Sequence, residues 1–409
     1  MSPDALSVLA SASGSGGGEC APASGGGDSS WASAGTPTTP LDAQAFRALF
    51  PALRHTVWLD TPGAPPAAEP VHRALDDVLT EWREGRFEWL DWDAAAGTAR
   101  TLFADRLGIP AATVATMASV AEAAATVAAT LPAGRVVVPA CEFRSNLLPW
   151  TALDPARHEV VLVPARDGAV RTEDLVAAVD ERTVLLAVSE VLSRDGVRAD
   201  LPALRAATDR CGARLFVDAT QSMGVLHPDL NRVRPDYLAV HGYKWLLCPR
   251  GAAWLAVRPD RLDELAPLMP SWKSSPAPHA YFGGGLDPAP GAARCDTSPA
   301  WFSWIGANAA LRLVGRLDPA EVERHCLSLA DEFLSEARTL GLRRVANGGP
   351  SHIAVVRTDH AERLARRLAA RRIRATALAD RLRVGFHYFN DSLDVHTVLS
   401  AVHEALAHG

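Results

Sequence analysis

Six short apolar runs recur along the middle of the chain, and they limit its fold more than any other feature. They are RVVVPA (135–140), HEVVLVP (158–164), TVLLAVS (183–189), ARLFVDA (213–219), DYLAVHG (236–242) and AAWLAVR (252–258). Each is short for a helix and too uniformly apolar for a strand with one wet face. Helical patterns stand between several of them, at 119–131, 172–180 and 200–211, with Thr172 and Asp200 as N-caps and Gly212 as a helix stop. Buried strands alternating with helices predict an α/β fold with a mainly parallel sheet covered on both faces, in one large domain over 75–300.

The pattern changes after residue 300. Long helical stretches at 301–315 and 319–340 precede IAVVRT (353–358), an Arg-rich helix at 360–372, RLRVGFH (381–387) and a last helix from about residue 391. That order predicts a small α+β domain over 301–409. Residues 41–74, containing VWLDTPGAPPAAEP, are expected as an N-terminal arm packed on it. Upstream, 26 of the 30 residues at 11–40 are Gly, Ser, Ala, Pro or Thr, too little apolar surface to offset the entropy of ordering. Residues 1–40 are therefore read as a disordered, low-complexity tail.

Composition excludes several classes of function. A net charge of −6 lacks the basic footprint of a nucleic-acid-binding domain. No apolar run approaches the ~18 residues of a membrane span, and no secretory signal is visible, so a cytoplasmic protein is expected. The six cysteines are scattered, without CxxC or a Cys/His cluster, which argues against a zinc site and a disulfide framework; no metal is expected. Among 41 basic residues only Lys244 and Lys273 are lysines. Chemistry that needs an amine has two candidates.

Open parallel sheets bind ligands at the carboxyl ends of their strands. Three such ends carry polar residues that a core strand has no use for. ARLFVDATQS ends in Asp218 and Gln221, DYLAVHGYKW in His241, Tyr243 and Lys244, and TVLLAVSEVLSRDG in Ser189, Glu190 and Ser193. Taken singly, Asp218 reads equally well as a helix cap and Lys244 as a solvated loop lysine. Separated by 26 positions with a strand between, they form a more specific pattern.

In chain order, MASVAEAA (117–124), CEFRSNLLPW (141–150), SEVLSRDG (189–196), VDATQS (217–222), HGYKWLLCPRG (241–251) and RVGFHYFND (383–391) resemble the motifs of the class V aminotransferase fold. That family of pyridoxal 5′-phosphate (PLP) enzymes includes cysteine desulfurases, kynureninases, isopenicillin-N epimerase-like enzymes and C–S lyases. The resemblance runs from about residue 57 to the end. It implies PLP fold type I, with a mainly parallel sheet of the seven-stranded type and a small α+β C-terminal domain.

The resemblance also implies roles. Lys244 would form the Schiff base with PLP, since only an amine condenses with its aldehyde. Asp218 would face the pyridine nitrogen and keep it protonated. Gln221 would hydrogen-bond the ring's 3′-oxygen, with Ser193 standing where relatives often place an Asn for the same atom. The helix start at Ser119, Val120 and Ala121 would offer backbone donors to the phosphate, although relatives often have Thr where Val120 stands. His241 would join the phosphate ligands, and Tyr243 would touch the phosphate or assist proton transfer. Phe143 would stack on the cofactor ring, its alternative being ordinary core packing. Arg383 would bind the substrate carboxylate bidentately, with Arg381 a surface neighbour. A segment resembling YFGGG…RCDTSPAW (281–301) would complete the site of a second subunit, Thr297 or Ser298 reaching that subunit's phosphate. A homodimer with shared sites and an amino-acid substrate is thus implied.

A desulfurase needs a nucleophilic cysteine on a loop just before the carboxylate arginine, and IRATALADRLR (373–383) has none. The expected reaction is C–S β-elimination, or a comparable Cα-carbanion reaction, on a cysteine-like substrate. An aminotransferase is the alternative, and a catalytically silent PLP-fold binding protein a further one. TEWREGRFEWLDWD (80–93) is either a wall for a bulky polar substrate or a packed helix with a charged outer face.

Overall fold

The computed structural model describes residues 40–407, apart from 167, 228, 229, 277–280 and 347. But for Pro40, the tail read at 1–40 lies outside these. A two-residue strand, β1 (Val57–Trp58), comes first. The central sheet is built from β2 (Val114–Met117), β3 (Gly134–Pro139), β4 (His158–Val163), β5 (Thr183–Ser189), β6 (Arg214–Asp218), β7 (Tyr237–His241) and β8 (Ala253–Val257), in the order β2-β8-β7-β6-β5-β3-β4. Only β8 runs against its neighbours, β2 and β7. The six apolar runs are all strands of this sheet. β6, β7 and β8 are buried along almost their whole length, while the outermost strand, β4, exposes Glu159 and Leu162.

On one face, helices Val120–Thr130 and Arg144–Thr151 pack over a core that includes Met117, Val127, Val136, Trp150, Phe216 and Leu255. Helix Leu201–Cys211 packs against β5 and β6. Its N-cap is Asp200, whose carboxylate accepts the Ala203 N–H at 3.1 Å, and Gly212 ends it in the left-handed region. Thr172 is the first residue of its helix rather than the N-cap; its hydroxyl instead accepts the Asp200 N–H at 3.2 Å, tying two helix starts together. At the start of β7, buried Asp236 is neutralised by Arg205 (2.6 Å), Arg258 (2.9 Å) and Arg261 (2.9 Å), as a buried carboxylate requires. That network holds the end of the sheet away from the polar strand ends.

A three-stranded antiparallel sheet, β11-β12-β9, follows from β9 (Ile353–Arg357), β11 (Thr376–Leu378) and β12 (Arg381–Gly385), and β10 (Ile373–Arg374) pairs in parallel with β1. Leu59, Phe333, Val356, Leu364, Leu382, Phe386 and Val398 form its core. Helix Trp301–Val314 packs against helices Glu69–Glu84 and Trp89–Leu107 instead of on this sheet. Among the described residues no helix is long and apolar enough to cross a membrane.

Candidate active site

Because β5, β6 and β7 are parallel, their carboxyl ends meet at one edge. Ser189, Asp218 and His241 are the last residues of the three strands, and Ser189 is the register partner of Asp218. The His241 N–H donates to the Thr220 hydroxyl at 3.0 Å, and the Thr220 N–H donates to the Asp218 carboxylate at 2.9 Å, so the turn after β6 fixes both groups. Lys244 follows on a tight turn toward β8. In that turn the Leu247 N–H donates to the Lys244 carbonyl, the Cys248 N–H to that of Gly242, and Leu247 takes the left-handed conformation at φ 61°. A leucine there is a strained choice, of the kind that accompanies positioned side chains.

Lys244 and Asp218 are both buried. Burial pushes the Lys244 amine down to about 8, against the attraction of Asp218, and the charges of Arg383 and Arg250 act in the same downward direction. Burial raises the Asp218 carboxyl, opposed by its bonds from Thr220 and by Lys244. Phe143 begins the helix Arg144–Thr151 and is 52% exposed, so it is not a core residue; the Lys244 ammonium stands 5.5 Å from its ring centre. Tyr243 flanks the same amine at 5.5 Å. His241 is buried, its Nε2 has no hydrogen-bond partner, and burial plus the neighbouring Arg250 and Lys244 hold its imidazole down to about 4. The second lysine is committed elsewhere, to an ion pair with Asp93 and to the Trp272 ring at 4.5 Å.

Several expected contacts are made to other partners. Gln221 spends both amide hydrogens, on the Pro62 carbonyl (3.1 Å) and the Ser193 hydroxyl (2.8 Å), while its oxygen accepts from Trp245 at 2.9 Å. No Gln221 N–H is left for a ring oxygen in this arrangement. The Ser193 hydroxyl also accepts from Arg383 at 3.0 Å, which leaves its own hydrogen to donate. Ser119 is the N-cap of helix Val120–Thr130 and accepts the Glu122 N–H, Val120 is buried, and Ala121 is the next residue of that turn. The Thr297 hydroxyl donates to Glu122 of its own chain at 3.4 Å, and Ser298 accepts from Trp272 at 3.0 Å. Arg383 donates to the Ser193 carbonyl (2.8 Å), to Asp60 (3.3 Å) and to Thr376 (3.2 Å). Arg381, by contrast, pairs with Asp380 at 2.8 Å.

Four residues of the site went unread in the sequence. Asp60 lies in the expected arm and reaches Arg383 across the fold. Glu122 folds back from the first helical turn to accept the Ala118 N–H at 2.7 Å. Arg250 stacks over Tyr243 at 4.8 Å. Glu142 is buried and accepts from the Ser189 N–H (2.6 Å), the Ser189 hydroxyl (2.7 Å) and the Phe143 N–H (3.1 Å); burial and nearby Asp218 push its carboxyl up to about 7. Its signal was its place beside Phe143. A separate cleft of about 880 Å³, lined by Val217, Leu238, Arg166, Arg198 and Arg344 among others, takes only Glu190 from the polar strand-end residues.

Residues 57–396 match the family described as aminotransferase class-V. The chain belongs to that family. It is a PLP-dependent enzyme of fold type I, as the ordered motifs imply. Over 368 residues it is 28% identical to the uncharacterized aminotransferase YcbU of Bacillus subtilis, covering 88% of this chain and 97% of that protein. Over 306 residues it is 29% identical to a probable cysteine desulfurase of Methanothermobacter thermautotrophicus, covering 69% and 73%. The solved structure of the cystine C–S lyase C-DES with its product cysteine persulfide superposes with a TM-score of 0.75 at 22% identity, covering 87% of this chain and 99% of that one. At that identity the likeness is one of fold.

The residues at the strand ends suit the cofactor. A buried amine, a buried carboxylate, an exposed aromatic ring beside the amine and an orphaned imidazole nitrogen are the kinds of group its aldehyde, ring nitrogen, ring face and phosphate require.

Proposed function

We propose that this enzyme carries out C–S β-elimination on a cysteine-like amino acid. PLP, when bound, supplies an electron sink for negative charge developing at the substrate Cα. Lys244 would hold the cofactor and, with its amine lowered to about 8, take the Cα proton at Nζ near neutral pH. Asp218 would hold the pyridine nitrogen, Phe143 would cover one face of the ring, and the Ser193 hydroxyl would donate to the ring oxygen. His241, with the N–H groups of the helix start at Ser119, Val120 and Ala121, would hold the phosphate. Arg383 would orient the substrate by its carboxylate. The buried Lys244–Asp218 pair carries this reading, because two desolvated charges are costly to keep in a protein that only binds.

What stands before Arg383 favours one kind of sulfur chemistry. β11 and β12 are joined by Ala379 and Asp380 alone, a hairpin with no cysteine. Cys141, the thiol next to Glu142, is pushed up to about 11 by burial and by Asp195 and Glu142, so it is not a thiolate at neutral pH. Among the described residues the hairpin before Arg383 offers a persulfide relay no cysteine, and direct release of the sulfur leaving group is favoured. Amino-group transfer is the second reading, favoured by the likeness to YcbU over almost its full length. Incubation with S-substituted cysteines decides between them. Elimination releases thiol, pyruvate and ammonia without an acceptor; transamination needs an added keto acid and releases no thiol.

The active assembly proposed is a homodimer. Phe143 at the site, and Tyr281 and Phe282 at 36% and 95% exposure, are aromatic surface that a second copy would cover. Light scattering that finds an active monomer would overturn this.

A further inference from the structure

Arg250 ends the turn that carries Lys244, and that turn is held rigidly. Its carbonyl accepts the Ser303 hydroxyl at 2.8 Å, and Gly251 has φ 105°, where a Cβ would stand 2.8 Å from the Ser303 oxygen. Only glycine fits this approach to helix Trp301–Val314. The side chain is exposed, yet its direction is set, because the guanidinium carbon lies 4.8 Å over the Tyr243 ring. The Tyr243 ring meets His241 edge to face at 4.5 Å. Arg250, Tyr243 and His241 therefore form one stacked array beside Lys244.

The charge in that array is uncompensated. Among the described residues no carboxylate pairs with Arg250, whereas the Arg383 guanidinium is engaged by Asp60, Thr376 and Ser193. At the far end of the array, His241 is buried with Nε2 unpartnered. Burial, with the nearby charges of Arg250 and Lys244, holds its imidazole low. Meanwhile the helix start has Val120 and Ala121, which offer no hydroxyl, and Ser119, whose oxygen accepts the Glu122 N–H and whose one O–H is a neutral donor. A cationic side chain for an anion has to come from elsewhere.

We infer that Arg250, together with His241, is an anion-binding element for the cofactor's phosphate. It supplies the cationic charge that the helix start lacks. The inference rests on the PLP assignment, and its test separates the two. Binding of PLP and of pyridoxal, which lacks the phosphate, is measured by equilibrium dialysis for wild type, Arg250→Ala and Arg250→Lys. Loss of a charge-assisted contact should weaken PLP binding to Arg250→Ala roughly ten- to hundred-fold while pyridoxal binding stays within about two-fold. Arg250→Lys should recover part of the loss, and inorganic phosphate should compete with PLP less well in Arg250→Ala than in wild type. Unchanged PLP binding in Arg250→Ala overturns the inference. So does equal weakening of PLP and pyridoxal, which means a structural role. A rise in substrate KM alone also overturns it, since Arg250 would then read the substrate. Wild type that binds no PLP overturns the cofactor assignment itself.

Discussion

The Arg383 guanidinium lies 3.3 Å from the Asp60 carboxylate, and the Thr376 hydroxyl, 2.8 Å from that carboxylate, bridges the two. The arginine expected to grip a substrate carboxylate thus already holds an internal one. A substrate must displace or share Asp60. Arg383→Ala should retain PLP but raise KM steeply, since removing one member of a charge-assisted pair costs ~2–5 kcal/mol, or roughly thirty-fold to several thousand-fold. Asp60→Asn should tighten amino-acid binding by up to about ten-fold, because a weaker acceptor competes. Titration of the cofactor's absorbance with substrate measures both. Weaker binding in Asp60→Asn would mean that Asp60 orients Arg383 instead of competing for it.

Lys244→Ala should abolish turnover, and borohydride reduction of wild type followed by peptide mapping should find the pyridoxyl group on Lys244. Finding it on Lys273, which the structure pairs with Asp93, would undo the alignment of the motifs. The lowered amine adds a pH signature. With its pKa near 8 rather than 10.5, about 10% of Lys244 is neutral at pH 7, against about 0.03% for an ordinary lysine. Recombination of the cofactor-free protein with PLP should accelerate with pH and level off above about 8. A profile still rising through pH 10 would show an unperturbed amine.

What could be read in the chain, and what could not, follows from the range of the interactions. DYLAVHG and ARLFVDA announce buried strands because burial on both faces leaves an unbroken apolar run, and their polar last residues lie at the sheet edge by construction. β2 was missed, since Val114–Met117 is four residues long and merges into Ala/Thr-rich surroundings. Asp60 and Arg383 are 323 positions apart, and no local pattern links them. Gln221 was legible as a polar residue at a strand end, but not its saturation by Pro62, Ser193 and Trp245, which three distant segments create together. Glu142 looks like a surface glutamate until the fold closes over it.

Asp218→Asn should fold and still bind PLP, yet lose roughly a hundred-fold in kcat. An amide cannot keep the pyridine nitrogen protonated, and loss of one preorganised electrostatic contact costs ~3 kcal/mol. Steady-state rates beside the measured PLP content check this. Wild-type rates with full cofactor would remove Asp218 from its role.

Glu142 ties the stability of the fold to pH. Its carboxyl is raised from 4.5 to about 7 in the folded protein, so between those values the native state holds a proton that the unfolded chain has released. Native stability from this group is therefore complete below about pH 4.5 and is lost as pH rises through 7, by up to ~3 kcal/mol. Glu142→Gln cannot titrate, so it should remove this part of the pH dependence. The variant carries a cost of its own: one carboxylate oxygen accepts from both Phe143 N–H and the Ser189 hydroxyl, and an amide nitrogen there would face the Phe143 N–H, losing about 1 kcal/mol at every pH. Against wild type, the variant should thus be slightly less stable at pH 5 and more stable at pH 8. Denaturant unfolding of the cofactor-free protein at the two pH values measures the difference, in which contributions from the buried histidines cancel. A stability gap that stays constant from pH 5 to 8 would mean that Glu142 is ionised in the native protein throughout, with its three donors outweighing its burial.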